Sequence, residues 1–266
     1  MSDGKTKCEE KSLNNQDASK SDATICSLRF GSLFAGIGGF DLGFERAGMT
    51  CAWQVEIDNY ANRVLEKHWP DVKRWRDVRT FPPEPTDEWK VDVICGGFPC
   101  QDVSLAKHDG DGIDGDRSGL WFEFERVIGI LRPRIVCVEN TPGLFVRGID
   151  AVLGGLAALG FDAEWGVVSA CSAGATHMRK RVFILGYAKE VETWSDERQG
   201  PSWWRMSMPG NRPRESGTHW ATEPSVARVA YGVPRGMDRC GAVGNAVSPI
   251  VAERIGHRIV RAVSVT

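Results

Sequence analysis

The chain has 266 residues, of which 42% are hydrophobic and 26% charged, and its formal net charge is −2 at pH 7. This length is enough for one large α/β domain with a small appendage. The nearly neutral charge excludes a protein that binds nucleic acid through general basicity. No apolar run approaches the ~20 residues that span a membrane, and the polar N-terminus lacks the apolar stretch of a signal peptide. We therefore expect a soluble, cytoplasmic protein.

The eight cysteines and five histidines form no familiar metal-binding or disulfide pattern. No C-x-x-C pair occurs, which argues against a zinc site or a thioredoxin-type motif. We expect no metal. Four cysteines lie in apolar, strand-like surroundings and are predicted to be small buried hydrophobic residues, namely Cys51, Cys95, Cys137 and Cys171.

Strand-like and helical patterns alternate along most of the chain. Residues 1–27 are polar and predict a disordered tail. Helical spacing of apolar residues predicts helices near 120–131 and 149–159, and we expect Gly160 to cap the second one. The alternation predicts an α/β fold with a doubly wound, mostly parallel, Rossmann-like sheet over residues 28–188. The predicted strands are Leu28–Phe34, Cys51–Glu56, Val91–Cys95, Ile135–Glu139, Ala163–Ala170 and Arg181–Tyr187.

The pattern changes over residues 189–240, which are rich in Pro, Gly, Arg and Trp and lack clear periodicity. Between Arg198 and Arg239, seven arginines stand against three acidic residues, and tryptophans lie among them. Such a mixture suits phosphate contact and base stacking, so we interpret the segment as a small, irregular recognition insertion. A solvated arginine-rich loop is the alternative. Residues 241–266 are then expected to return to the main domain with a helix over Pro249–Val263.

The first predicted strand runs into the glycine-rich turn FAGIGG. Gly36, Gly38 and Gly39 allow a tight turn and a close approach of a ligand to a helix N-terminus. Asp41 stands at the last glycine position of the dinucleotide fingerprint, which weakens that interpretation. Glu56 ends the second strand, where an acidic side chain can hold ribose hydroxyls. The pair predicts a nucleoside cofactor such as S-adenosylmethionine, and an ordinary strand–helix turn is the alternative.

The third strand opens into GGFPCQDVS, at the strand end where open α/β sheets bind ligands. Pro99 stiffens the loop that presents the thiol of Cys100. A thiol presented in this way can react as a thiolate nucleophile. A purely structural cysteine is the alternative.

Two further strands bring ionisable side chains to the same edge of the predicted sheet. The fourth strand ends in Glu139 and Asn140, and a desolvated carboxyl there can stay protonated and act as an acid. A helix-capping or salt-bridging carboxylate is the alternative. Arg179 and Arg181 lie at the start of the sixth strand, and we expect one to face the site and the other to face outward. A structural ion pair is the alternative for either arginine.

Taken in this order, these motifs resemble those of the cytosine-5 DNA methyltransferase family, over roughly Leu28 to Ile259. Several of the motifs are individually specific, and their shared order makes chance matching a poor explanation. They are FAGIGGF from Phe34, VEID with Glu56 and Ile57, Asp77-Val78, GGFPCQ with Pro99 and Cys100, Arg117-Ser118-Gly119-Leu120, ENTPGL from Glu139, HMRKRVFILG with Arg179 and Arg181, and GNAVSP from Gly244.

The resemblance implies methyl transfer from S-adenosylmethionine to carbon 5 of cytosine in double-stranded DNA. Cys100 would add to carbon 6, Glu139 would protonate ring nitrogen 3, Arg181 would contact the carbonyl oxygen, and Arg179 would hold the backbone or the loop. The target base would have to be flipped out of the duplex. The resemblance further implies a cofactor site made of Phe34, Gly36, Gly38, Gly39, Glu56, Ile57, Asp77, Val78, Pro99, Asn245 and Val247.

The recognition segment of about 50 residues is short for this family, which leaves other functions open. One branch of the family methylates transfer RNA with the same motifs. A DNA-binding module with a vestigial site and a nicotinamide oxidoreductase of the same fold are further alternatives. The compact chain is typical of prokaryotic or phage members, including those of restriction–modification systems, and we expect it to act as a monomer.

Overall fold

The computed structural model describes residues 27–99, 119–175, 177–189, 191 and 242–264. The predicted tail and nearly all of the predicted recognition insertion lie outside the described residues, as does Cys100. The strands within the described ranges are β1 (Arg29–Leu33), β2 (Thr50–Val55), β3 (Lys73–Trp75), β4 (Val93–Gly96), β5 (Ile135–Asn140), β6 (Phe161–Ser169) and β7 (Lys180–Ala188).

These seven strands form one sheet in the order β3-β2-β1-β4-β5-β7-β6. Neighbouring strands from β3 to β5 are parallel, and β7 is antiparallel to both β5 and β6. The predicted α/β fold with a doubly wound, mostly parallel sheet is therefore confirmed. All six predicted strands are present, with ends displaced by at most two residues. Strand β3 was not predicted, because a three-residue edge strand of sequence KRW carries no apolar alternation.

Helices cover both faces of the sheet. Gly160 has a φ of 88° and its N–H donates to the carbonyl of Ala157, as expected for a residue that ends the preceding helix. The last helix was also predicted nearly to its observed ends. The helices within the described ranges include α1 (Gly39–Arg46), α2 (Asn59–His68), α3 (Gly119–Leu131), α4 (Leu144–Arg147), α5 (Ile149–Ala158) and α6 (Pro249–Ser264), with short 3₁₀ turns at Val78–Thr80, Asp87–Trp89 and Ala170–Ala173.

The central strands are buried on both faces, and their alternate residues belong to two cores. In β4, Val93 and Cys95 belong to the core that includes residues of α1 and α6, whereas Ile94 belongs to the core that includes residues of α3 and α5. In β5, Ile135 belongs to the first of these cores and Val136 to the second. Nearly continuous apolar strands of this kind are typical of a parallel sheet with helices on both sides.

Three of the four cysteines predicted to be buried lie in the sheet and are buried: Cys51, Cys95 and Cys137. Burial raises the pKa of each of these thiols and keeps it uncharged. The prediction was wrong for Cys171. That residue lies in a 3₁₀ turn and is half-buried, with its Sγ 3.0 Å from the Oγ of Ser169.

The described residues include neither a metal-binding cluster nor a membrane-spanning helix. No group of three or more His, Cys, Asp or Glu side chains is placed to hold a metal ion there. No helix in the same ranges is long and apolar enough to cross a membrane.

Helix α6 packs closely on α1, and glycines make this approach possible. A Cβ on Gly43 would collide with the Cβ of Ala252 and would lie 2.6 Å from the carbonyl oxygen of Pro249. A Cβ on Gly256 would lie 2.7 Å from that of Ala47. The contact matters for the site, because the segment that enters α6 reaches the glycine turn that enters α1.

Replacing Gly43 by alanine is therefore expected to push α1 and α6 apart and to lower the free energy of unfolding by about 1–3 kcal/mol, as overpacking does. Urea unfolding measures the change. Gly154→Ala is the matched control, because Gly154 lies inside α5 with open space around its Cβ position. That control should be neutral or stabilising by up to about 1 kcal/mol. Equal destabilisation by both substitutions would contradict the packing argument.

Candidate active site

The site is built from the carboxyl ends of parallel strands. Strands β1, β2, β4 and β5 are parallel, so the loops that follow them lie at one edge of the sheet. Strand β7 runs the other way and therefore begins at this edge. In this way five segments distant in sequence meet at one place.

The glycine turn between β1 and α1 has a backbone that favours glycine. Phe34, Gly36 and Gly38 have φ values of 51°, 57° and 85°. A Cβ on Gly38 would collide with the ring of Trp69, whereas no heavy atom lies within 4 Å of the Cβ position of Gly36. The backbone is thus closed on one side by Trp69 and open at Gly36, where a ligand can approach it.

The turn is also in contact with the GNAVSP segment near the C-terminus. A Cβ on Gly39 would collide with the carbonyl oxygen of Val247. Val247 is buried and Asn245 is exposed. Two motifs more than 200 residues apart in sequence therefore touch through their backbones at the predicted cofactor site.

Glu56 is held directly beside the glycine turn. Its Oε2 accepts a hydrogen bond of 2.7 Å from the N–H of Gly36, and its Oε1 accepts one of 2.8 Å from the N–H of Asp58. Burial raises the pKa of this carboxyl, and the two backbone donors oppose that shift. The adjacent Ile57 is 62% exposed. A fixed carboxylate beside an exposed apolar side chain suits a ribose and the base attached to it.

The Asp77-Val78 segment, part of the cofactor site that the resemblance implies, follows β3. The side chain of Asp77 is bound by Arg79, with 2.7 Å between Oδ2 and Nη2, and this ion pair lowers the pKa of the carboxyl. Val78 is buried. The N–H of Glu56 donates to the carbonyl of Trp75, which connects this segment to the ribose-side carboxylate.

The loop after β4 lies against the end of β5. A Cβ on Gly97 would lie 2.7 Å from Oε2 of Glu139, so a side chain there would force the carboxyl to move. The side-chain N–H of Asn140 donates to the carbonyl of Phe98 over 3.1 Å. Pro99 is exposed and is the last described residue before Cys100. The backbone that leads to Cys100 is thereby fixed next to Glu139.

Glu139 is a buried carboxyl at this edge with a raised pKa. It is 6% exposed, and burial raises its pKa to about 7 in spite of the opposing charges of Arg181 and Arg179. Its Oε1 lies 2.9 Å from Nε of Arg181. When Glu139 is ionised, it forms a salt bridge with Arg181, as the alternative interpretation expected. Because its pKa is raised, a large fraction of the Glu139 carboxyl is protonated near neutral pH.

Both arginines lie near Glu139, so the expectation that one would face outward was wrong. Residues two apart at a strand start share a face of the sheet. The Arg181 Nη1 donates to the carbonyl of Lys180, and the Arg179 Nη1 donates to the carbonyl of Gly244 in the closing segment. The Nε and Nη2 of Arg179 are buried and have no hydrogen-bond partner among the described residues. Burial and the charge of Arg181 lower the pKa of Arg179.

Sequence inspection gave no role to a buried acid beneath the glycine turn. Asp41 is fully buried and accepts hydrogen bonds from the side chains of Ser32, Cys51 and Gln54. Burial raises its pKa. The sequence signal for this buried acid was a charged residue next to Phe40 on the apolar face of α1. Asp41 was noted in the sequence only because it replaces the last glycine of the dinucleotide fingerprint.

Fold and site together define an α/β domain in which an open glycine turn beside Glu56 and a buried carboxyl–arginine pair lie at one edge of the sheet. The sequence model of the C-5 cytosine-specific DNA methylase family matches residues 28–206. The chain therefore belongs to this family.

Its relatives include proteins named type II methyltransferases from bacteria. The chain is 29% identical to the type II methyltransferase M.NgoFVII of Neisseria gonorrhoeae over 66% of its own length and 46% of that protein. It is 32% identical to M.HgiCII of Herpetosiphon aurantiacus (62% and 38% of the two chains) and 33% identical to M.Sau3AI of Staphylococcus aureus (60% and 43%). The chain thus spans less than half the length of these relatives.

Solved structures agree with the fold. One, from an E. coli prophage and described as a DNA modification methyltransferase, is 29% identical, with a TM-score of 0.53 over 62% of this chain and 48% of that one. The Dnmt2 methyltransferase of S. pombe is 19% identical, with a TM-score of 0.52 over 60% and 51% of the two chains, and supports the fold alone.

The position of Glu139 predicts how its carboxyl titrates. We expect a midpoint near pH 7, and Arg181→Gln should raise it further, because the arginine charge favours the ionised form. Carbon-13 NMR of labelled glutamate side chains measures the midpoint, with Glu139→Gln to assign the signal. Arg132→Gln is the control, because Arg132 binds the carbonyl of Leu159 instead. A Glu139 midpoint near 4.5 would show that burial does not govern this group.

Proposed function

We propose that this chain transfers a methyl group from S-adenosylmethionine to carbon 5 of a cytosine flipped out of duplex DNA, through a covalent adduct with Cys100. Membership of the C-5 cytosine-specific DNA methylase family supports the reaction class. Type II methyltransferases among the relatives support DNA as the substrate. Residues 28–188 and 241–266 would form the catalytic unit, and residues 189–240 would contact the DNA.

The observation that carries the proposal is the position of Glu139. A buried carboxyl with a pKa of about 7 lies against Gly97, three residues before the proposed nucleophile. A group titrating near the working pH is well suited to give and take a proton. Addition of a thiolate to a cytosine ring requires such a proton, because negative charge develops on ring nitrogen 3.

The glycine turn fits the proposed cofactor. Open space at Gly36 allows the backbone to approach a ligand, and Glu56 fixes a carboxylate where ribose hydroxyls can bind. Ile57 offers an exposed apolar side chain for a base, and Asp77-Val78 would contact the adenine edge. When bound, the cofactor supplies an electrophilic methyl group on a sulfonium sulfur. Phe34, Gly38, Gly39, Pro99, Asn245 and Val247 are proposed to complete this site.

The chain's own residues would handle the electrons and the proton. The Cys100 thiolate forms a bond to carbon 6, while Glu139 gives its proton to ring nitrogen 3, which leaves a neutral enamine. Carbon 5 of the enamine would then form a bond to the methyl group as the bond from that group to the sulfonium sulfur breaks, which would leave the thioether S-adenosylhomocysteine. Loss of the carbon 5 proton to a base restores the 5,6 double bond and expels the thiolate of Cys100, and the proton at nitrogen 3 returns to Glu139.

The two arginines would have separate tasks. Arg181 lies 2.9 Å from Glu139 and is the group proposed to contact the carbonyl oxygen of the cytosine. Arg179 donates to the carbonyl of Gly244, which supports a role in holding the closing segment in place. Its Nε and Nη2, which have no hydrogen-bond partner among the described residues, are proposed to bind the catalytic loop.

Labelled S-adenosylmethionine tests the proposal. The chain is incubated with the labelled cofactor and either duplex DNA or transfer RNA, and methylated cytosines are mapped. We expect label in DNA, and a loss of at least ~10³-fold in Cys100→Ser, as for removal of a nucleophile. Cys171→Ser is the control, because Cys171 is a half-buried thiol that is not among the proposed site residues.

Three outcomes would contradict the proposal. Label found only in transfer RNA would assign the chain to the RNA-modifying branch. Label in neither nucleic acid would favour a vestigial binding module. Undiminished transfer by Cys100→Ser would leave the reaction class intact but remove the proposed covalent mechanism.

A further inference from the structure

Arg126 on α3 donates hydrogen bonds to backbone carbonyl groups next to the proposed adenine segment, Asp77-Val78. The Nη2 of Arg126 donates to the carbonyl oxygens of Val78 and Phe81, both over 2.7 Å. Its Nε donates to Oε2 of Glu123 over 2.6 Å, one turn earlier on the same helix. A single nitrogen therefore binds both ends of the short 3₁₀ turn that follows Asp77. Hydrogen bonds from a charged donor are shorter and stronger than neutral ones.

Local hydrogen bonds also support this turn, including those from the N–H of Arg79 to Oδ1 of Asp77 and from Nε1 of Trp75 to Oγ1 of Thr80. It is one 3₁₀ turn, Val78–Thr80, and it follows an edge strand of only three residues. Its apolar anchors are Val78 and Phe81, and the ring of Phe81 packs on that of Trp53 with 4.6 Å between centroids. The local hydrogen bonds keep the shape of the turn, and apolar packing fixes the depth of its side chains. Arg126 adds charged hydrogen bonds that bind the carbonyl oxygens of the turn to α3.

Helix α3 does not need Arg126 for its own packing. The helix is anchored by the buried side chains of Trp121, Phe124, Val127, Ile128 and Leu131. The side chain of Arg126 is 35% exposed. Its removal should therefore leave the helix and the core in place and release the turn alone.

We propose that Arg126 is a positioning residue for the adenine end of the cofactor: by holding the carbonyls of Val78 and Phe81, it presents the Asp77-Val78 backbone for discrimination of adenine from other bases. The inference rests on the proposed function, which places the adenine at this segment. Arg126 does not touch the cofactor itself. It acts through the turn.

The test compares two ligands in the full chain. Isothermal titration calorimetry gives the dissociation constants of S-adenosylhomocysteine and of S-inosylhomocysteine, in which an oxo group replaces the adenine amine. A site that hydrogen-bonds adenine should bind the inosine ligand at least ~10-fold more weakly. In Arg126→Ala we expect S-adenosylhomocysteine to bind ~10-fold more weakly and the inosine ligand to change much less, because a misplaced backbone no longer discriminates.

Arg132→Ala is the matched control. Arg132 follows α3 directly and also donates to a backbone carbonyl, that of Leu159, which precedes β6 at the opposite edge of the sheet. This variant should keep both affinities. Thermal unfolding of each variant, with and without ligand, confirms that the proteins compared are folded at the temperature of the titration.

Each result decides between the inference and its alternatives. Wild-type affinity of Arg126→Ala for S-adenosylhomocysteine overturns the inference, and so does an equal loss of affinity for both ligands, which indicates a general structural role. Failure of the wild-type chain to discriminate between the ligands also overturns it. No binding of S-adenosylhomocysteine by the wild-type chain would instead contradict the proposed function.

Discussion

The carboxyl of Glu139 is buried between a loop that has no side chain at Gly97 and the guanidinium of Arg181, and the rest of the site depends on this arrangement. Burial favours the protonated form and the arginine favours the ionised form, and the balance leaves a pKa of about 7. A side chain at residue 97 would occupy the space of the carboxyl. The same glycine therefore brings the backbone before Cys100 close to the acid and helps exclude water from it.

The sheet makes this arrangement possible because parallel strands deliver their following loops to one edge. Close backbone contacts and hydrogen bonds then connect those loops to one another. Gly39 touches Val247, Asn140 binds the carbonyl of Phe98, and Arg126 binds the turn after Asp77. Each contact joins segments distant in sequence, so the cofactor side and the acid side of the site are positioned by the same fold.

Much of this could be predicted from sequence, for physical reasons. Apolar runs of strand length gave the six main strands, and the rule for strand ends placed the glycine turn, Glu56 and Glu139 at one edge. Contacts between segments could not be predicted. The link from Arg126 to Val78 spans 48 residues and leaves no periodic signal. Strand β3 is too short to show a periodic pattern of apolar residues. Arg179 and Arg181 lie on the same face because residues two apart on a strand share a face, whereas the prediction placed them on opposite faces.

The most direct measurement of the central claim is covalent trapping on a DNA duplex that carries 5-fluorocytosine, with S-adenosylmethionine present. Fluorine at carbon 5 cannot leave as a proton, so the adduct persists and its peptide can be identified by mass spectrometry. The account predicts one adduct, on the peptide that contains Cys100, and slower trapping by Glu139→Gln because the ring nitrogen is no longer protonated. An adduct on another cysteine, or equal trapping rates for wild type and Glu139→Gln, would contradict it.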